Sequence, residues 1–259
     1  MSASSRSVLV ASKVPQVTLG FWLIKLLATT VGETGGDALS MTLDLGYALA
    51  SLIYIGFFAV TLALQVRARR FHAAVYWAVV VATTTVGTTL SDFLDRSVGL
   101  GYVKSSIALL GGVLLILAVW KRVAGRVVFE NITSRTDEVF YWLTILVSNT
   151  LGTALGDFVA DTTGLGFERG TLVFGALLVL IAALHRWAKR ISPAVLFWAA
   201  YVLTRPFGAT LGDTLTKPRA EGGLALGRIG ASLAIAALMV LAIGATALRS
   251  RSTRPAAPA

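Results

Sequence analysis

With 259 residues, 56% hydrophobic and only 14% charged, the chain has the composition of an integral membrane protein. The absence of cysteine excludes disulfides and thiolate metal sites, and His72 and His185 each lie beside arginines at the end of an apolar run, unlike metal ligands. The net charge of +10 falls in short clusters between apolar runs, which orients a membrane protein and does not describe a nucleic-acid surface.

The chain opens with a basic segment, 1–15, that lacks the apolar core and cleavage site of a secretory signal and is expected to be retained. Apolar runs then predict helices near 16–36, 45–65, 73–92 and 103–120 (residues 16–125). A polar cytoplasmic connector follows at 126–137, and further helices are predicted near 138–157, 170–185, 194–213 and 228–248 (residues 138–248). The tail 249–259, with its prolines and few apolar residues, is expected to be disordered. Each run approaches the roughly 20 residues that a spanning helix needs. The runs are continuous and not alternating, which disfavours a barrel. If the chain crosses eight times, 15 of its 23 Lys and Arg fall inside, 6 outside and 2 within spans, so both termini are expected to be cytoplasmic.

One pattern recurs four times without a slip: an aromatic–Trp pair, a Gly ten residues after the Trp, and an Asp five after that. The copies are Phe21-Trp22…Gly32…Asp37, Tyr76-Trp77…Gly87…Asp92, Tyr141-Trp142…Gly152…Asp157 and Phe197-Trp198…Gly208…Asp213. A second signature opens the even helices: Leu45-Gly46-Tyr47, Leu100-Gly101-Tyr102 and Leu165-Gly166-Phe167, each Gly 24 residues after its Trp. The fourth unit has Leu226-Gly227-Arg228 instead, displaced by about five residues. Each unit crosses twice, so all four copies run in the same direction, a parallel arrangement.

These tandem two-helix units, together with Lys13-Val14-Pro15-Gln16-Val17-Thr18 and Thr29-Thr30-Val31-Gly32-Glu33, resemble a bacterial family of polytopic membrane proteins built from a repeat of unknown function. The resemblance covers about 16–248. It implies a multi-pass protein of the bacterial inner membrane and assigns no activity.

Helical periodicity places Lys25, Thr29, Glu33 and Asp37 on one stripe. The equivalent stripes are Val80, Thr84, Thr88, Asp92; Ile145, Asn149, Thr153, Asp157; and Tyr201, Arg205, Ala209, Asp213. Lipid cannot satisfy these groups, so the odd helices are expected to turn their stripes inward, with the apolar even helices outside. Gly32, Gly87, Gly152 and Gly208 would allow close approach, while Gly35-Gly36 and Pro206 offer places for a helix to break. Trp22, Trp77, Trp142 and Trp198 suit packing or an interfacial anchor. Asp44, Asp95, Asp161 and Glu168 read as ordinary outer-loop acids.

No Ser–His–acid arrangement and no phosphate-cradling glycine loop occurs, so neither an enzyme nor a resident cofactor is expected. The stripes hold five acids, Glu33, Asp37, Asp92, Asp157 and Asp213, against two bases, Lys25 and Arg205, a net of −3. An oxygen-only set with support from Thr29, Thr84 and Asn149 suits a hard divalent ion. The leading expectation is an inner-membrane transporter of a small cation, with Lys25 and Arg205 as counter-charges and Glu33 as proton carrier if transport is proton-coupled. The partners expected are the bilayer, the cation and a possible second copy, with no nucleic acid. The alternatives are a cation channel with an acidic ring, a scaffold or sensor whose carboxylates are structural caps, and an anion or metabolite transporter binding through Lys25 and Arg205.

Overall fold

A computed structural model describes residues 12–252 of the chain; Arg6, Arg254 and the rest of 1–11 and 253–259 lie outside the described residues. The described residues form eight long helices: α1 (Leu19–Asp37), α2 (Gly46–Arg67), α3 (Ala73–Asp92), α4 (Tyr102–Ala124), α5 (Arg135–Asp157), α6 (Phe167–Trp187), α7 (Pro193–Thr216) and α8 (Arg228–Ser252). Seven of them are, by length and composition, apolar enough to span a membrane, the pattern of a multi-pass membrane protein. The exception is α1, which carries Lys25, Glu33 and Asp37.

The helix ends follow local chemistry. Thr18 caps α1 by accepting from the Phe21 N–H at 3.2 Å, and Ser134 caps α5 by accepting from Asp137 N–H at 3.0 Å. Pro193 starts α7 at a position where no N–H is required. The Leu-Gly-aromatic signature is a backbone requirement: Gly101 and Gly166 hold φ of 76° and 82° immediately before α4 and α6. No helix breaks at Gly35-Gly36 or Pro206, because α1 and α7 run through them. The irregularity comes one step later, as single π turns at Ala38–Thr42, Phe93–Ser97 and Phe158–Thr162. They are closed by the i+5 bonds Leu43 N–H to Ala38 O and Val98 N–H to Phe93 O, both 2.9 Å, and Thr163 N–H to Phe158 O at 3.2 Å. The fourth unit has no such turn; α7 continues to Thr216, and α8 starts after a longer loop.

The odd helices close a ring in the order α1, α3, α5, α7 and back to α1. Each even helix packs outside the ring on the next odd helix, α2 on α3, α4 on α5, α6 on α7 and α8 on α1. The inner-odd, outer-even arrangement expected from the stripes is therefore present. A repeat is not a closed hairpin, however, since its second helix serves the following repeat.

Two motif elements build the ring. In a membrane there is little hydrophobic drive between helices, so association rests on close packing and hydrogen bonds. Each repeat glycine receives a side chain from the next inner helix: Gly32 faces Thr84, Gly87 faces Asn149, Gly152 faces Arg205 and Gly208 faces Thr29. A Cβ at Gly87 would stand 2.8 Å from the Asn149 carbonyl carbon. The four partners share one position, seven residues after the Trp. At the Trp end, the aromatic pairs form a second closed circuit. Phe21 packs on Trp77 and Tyr76 on Trp142, both at 5.6 Å between ring centres, Tyr141 on Trp198 at 5.7 Å and Phe197 on Trp22 at 5.6 Å. Within each pair the two rings meet edge to face, a geometry worth about 0.5–1.5 kcal/mol beyond the area buried. Trp77, Trp142 and Trp198 are buried and only Trp22 is half-buried, so these residues are packing elements and not interfacial anchors.

The connector 126–137 is not a solvated linker. Ile132 is buried, Phe129 stacks on Phe197 at 4.7 Å, and Glu130 accepts the Val17 N–H at 3.0 Å. Lys13 bridges to Glu138 at 2.8 Å, and Trp120 donates to Asp137 at 2.8 Å. Together with residues 13–17, the connector covers the aromatic circuit. At the far end of the chain α8 reaches Ser252, so the first residues of the tail expected at 249–259 are helical.

Candidate functional site

The stripes stack four layers of four side chains along the ring axis. Nearest the aromatic circuit lie Lys25, Val80, Ile145 and Tyr201, then Thr29, Thr84, Asn149 and Arg205, then Glu33, Thr88, Thr153 and Ala209, and finally the four Asp. All sixteen are buried, which is why the odd helices tolerate so many polar groups.

Side chains of the layers link the four inner helices across the axis. Arg205, fully buried on α7, reaches across the axis: its Nη2 shares its two N–H groups among Glu33 Oε2 at 2.8 Å, Thr88 Oγ1 at 2.5 Å and Thr153 Oγ1 at 2.6 Å. The guanidinium thus binds the equivalent residue of each of the other three repeats. Ala209, the fourth member of that layer, is the small residue on Arg205's own helix. Thr88 also donates to Gly32 O at 3.1 Å, tying α3 to α1. Asn149 donates to Thr83 at 3.0 Å and Thr84 to Ala28 O at 3.2 Å, again between neighbouring helices. Thr29 bonds back to its own helix at Leu26 O, as do Thr30, Thr85, Thr150 and Thr210 to theirs, a structural use of the hydroxyl. Lys25 points its Nζ at the face of Tyr201, 4.2 Å from the ring centre.

The Asp end holds more charge than the stripes. Arg96 bridges Asp92 at 3.1 Å and Asp157 at 3.8 Å, Lys217 approaches Asp213 at 3.9 Å, and Arg228 bridges Asp37 at 3.3 Å. With these three bases the five stripe acids meet five bases, and the net of −3 counted from the stripes alone disappears. Burial works against the Lys217 charge, yet Asp213, with Asp37 and Asp157 behind it, holds its ammonium above the usual lysine range. In the sequence these three fall among the six bases assigned to the outer side, with no part given to them in the site. The signal was present: Arg96 and Lys217 stand four residues after Asp92 and Asp213, one helical turn. Arg228 occupies the place of Tyr47, Tyr102 and Phe167 at the head of an even helix. Tyr102 meets Arg96, which links Asp92 to Asp157, at 5.8 Å, Phe167 meets Lys217 at the end of α7 at 5.4 Å, and Arg228 itself bridges Asp37, so the heads of three even helices lie against charged groups of the Asp end. Asp95 is likewise not a loop acid; it is buried and accepts from Ser91 at 3.2 Å and from Ser105.

The acids are not distributed as a symmetric ring. Asp92 and Asp157 share Arg96 on the α3–α5 side. On the α1–α7 side one oxygen each of Glu33, Asp37 and Asp213 lie within 4.8 Å of one another. Asp37 Oδ1 and Asp213 Oδ1 are buried and have no hydrogen-bond donor. Oxygens bound to one hard cation, at about 2.0–2.6 Å each, must lie within about 5 Å of one another, and these three do. Of the five acids proposed from sequence as ion ligands, three are brought together and two lie outside that group; Thr29, Thr84 and Asn149 lie two layers from the Asp and one from Glu33, with Thr84 and Asn149 joining helices and Thr29 bonded to its own.

No curated protein and no solved structure matches the chain. The family model described as Repeat of Unknown Function (DUF347) matches residues 20–71, 75–126, 140–190 and 196–252. Each match covers one aromatic–Trp–Gly–Asp unit with its even helix, and the chain belongs to that repeat family.

Proposed function

We propose that the protein is an eight-span inner-membrane transporter of a small hard cation, divalent by the chemistry of its ligands, with both termini in the cytoplasm and the Asp end facing outward. The observation that carries this reading is the approach of Glu33, Asp37 and Asp213, with two carboxylate oxygens free of hydrogen bonds. Three carboxylates at that separation repel one another strongly in a low-dielectric setting, and a cation relieves the repulsion. Lys217 and Arg228 then act as tethered cations. Each sits at the edge of the cluster, and an arriving ion displaces them outward from Asp213 and Asp37. The basic excess on the opposite, Trp side supports the orientation.

Arg205 is the barrier on this route. Its three bonds close the axis below the cluster, so inward passage requires the guanidinium to leave Glu33. The same plug argues against a channel with an acidic ring, which needs a continuous pore. Glu33 is engaged by Arg205 at 2.8 Å, which fits a gate latch better than the proton carrier expected from sequence. Uptake of Mn²⁺ or Mg²⁺ into proteoliposomes tests the proposal: wild type is expected to accumulate the ion, Glu33→Gln and Asp213→Asn to lose transport. Wild-type-like flux in both variants overturns the site. Variants that lose stability while no flux is seen in wild type favour the scaffold reading, in which the acids only bind helices together.

A further inference from the structure

We propose that the middle of the inner ring, between Lys25 on α1 and Arg205 on α7, binds one small monovalent anion of halide type. Both side chains have no exposed surface. Lys25 Nζ and the Nε and Nη1 of Arg205 have no hydrogen-bond acceptor among the described residues. The two groups are close: Lys25 lies over the ring of Tyr201, which stands one turn before Arg205 on the same helix.

Charge decides the ligand class. Between the aromatic circuit and the Asp layer the described inner helices carry two bases, Lys25 and Arg205, and a single acid, Glu33, whose Oε2 is bound by Arg205 Nη2. With Lys25 protonated, one positive charge is left uncompensated at mid-depth, where an unpaired charge is costly unless a ligand offsets it. The next carboxylates toward the Trp end, Asp137 and Glu138, are held by Trp120 and Lys13. Toward the other end, Asp37, Asp92, Asp157 and Asp213 have Arg228, Arg96 and Lys217. The unpartnered Asn149 Oδ1 on α5 is an acceptor at the level of Arg205, but it is neutral and cannot offset the charge. Three unpartnered cationic donor atoms with one surplus charge suit a monovalent anion; a divalent anion would overcompensate, and a cation is repelled. The anion would lock Lys25 and Arg205 in place below the carboxylate cluster. The inference stands apart from the cation proposal, since the chain can hold a halide whether or not it moves a cation.

The test uses the purified full chain in detergent, at constant ionic strength, with sodium chloride exchanged for sodium gluconate. Radioactive chloride is expected to bind saturably, to be displaced by bromide, and to raise the thermal unfolding midpoint. Lys25→Met and Lys25→Gln are expected to weaken chloride binding about tenfold or more and to make the midpoint insensitive to chloride, while Asp92→Asn retains both responses. No saturable chloride binding by wild type, or wild-type binding by either Lys25 variant that folds, overturns the inference.

Discussion

The Trp end and the Asp end of the inner ring stand on the same four helices but treat their fourfold repeat differently. At the Trp end all four repeats do the same work: Phe21, Tyr76, Tyr141 and Phe197 each pack on the Trp of a neighbouring repeat, and the circuit closes. At the Asp end the four acids repeat but their partners do not. One arginine serves Asp92 and Asp157, while Asp37 and Asp213 take a cation each and draw close to Glu33. Symmetry survives where packing is the only demand, and it is broken on one side of the ring, between α1 and α7, where charge is concentrated. Lys25, Arg205 and Glu33 carry that break into the middle of the ring, because the equivalent residues in the other repeats are neutral.

The largest effect is expected from breaking the asymmetric layer itself. Arg205→Met leaves Glu33 buried without its cation and should cost about 3–5 kcal/mol, read as a fall in unfolding midpoint or loss of monodisperse protein. Adding Glu33→Gln to that variant should recover most of the loss, which a purely steric role for Arg205 would not allow. Next comes the shared glycine position. Gly208→Ala drives a methyl into Thr29 and should cost about 1–3 kcal/mol, whereas Gly111→Ala on α4, with open space around it, should be neutral or slightly stabilising. At the symmetric Trp end, Tyr141→Phe removes the 2.6 Å bond to the Tyr76 hydroxyl and should cost about 1 kcal/mol without changing any ion response. The smallest effect belongs to Arg228→Tyr, which restores the residue type found in the first two repeats. Its bridge to Asp37 is partly exposed, so stability should change by less than about 1 kcal/mol, while cation affinity at the cluster should change.

Much of this was legible in the sequence because it follows from periodicity. The apolar runs gave the helices, and the stripe from Lys25 to Asp37 showed which face of α1 turns inward. The four glycines pointed to close approach, and their partner, the residue seven after the next Trp, could have been inferred from ring closure. The exchange of even helices between repeats was not legible, because a hairpin and a splayed pair share one hydrophobic pattern. Nor were the π turns after Asp37, Asp92 and Asp157, since no residue type marks an i+5 bond. The pairing of acids with Arg96, Lys217 and Arg228 was hidden for another reason: loop residues in sequence can be buried at a helix end in space. That pairing removes the net negative charge on which a symmetric acidic ring depends, and leaves the close carboxylates at one interface.

The most direct test of a single cation site built by broken symmetry is Mn²⁺ binding to the purified chain, followed by electron paramagnetic resonance. Wild type and Asp92→Asn should bind one Mn²⁺ with similar affinity, and Asp213→Asn should lose it. Equal loss in Asp92→Asn and Asp213→Asn, or no Mn²⁺ binding by wild type, would contradict the account.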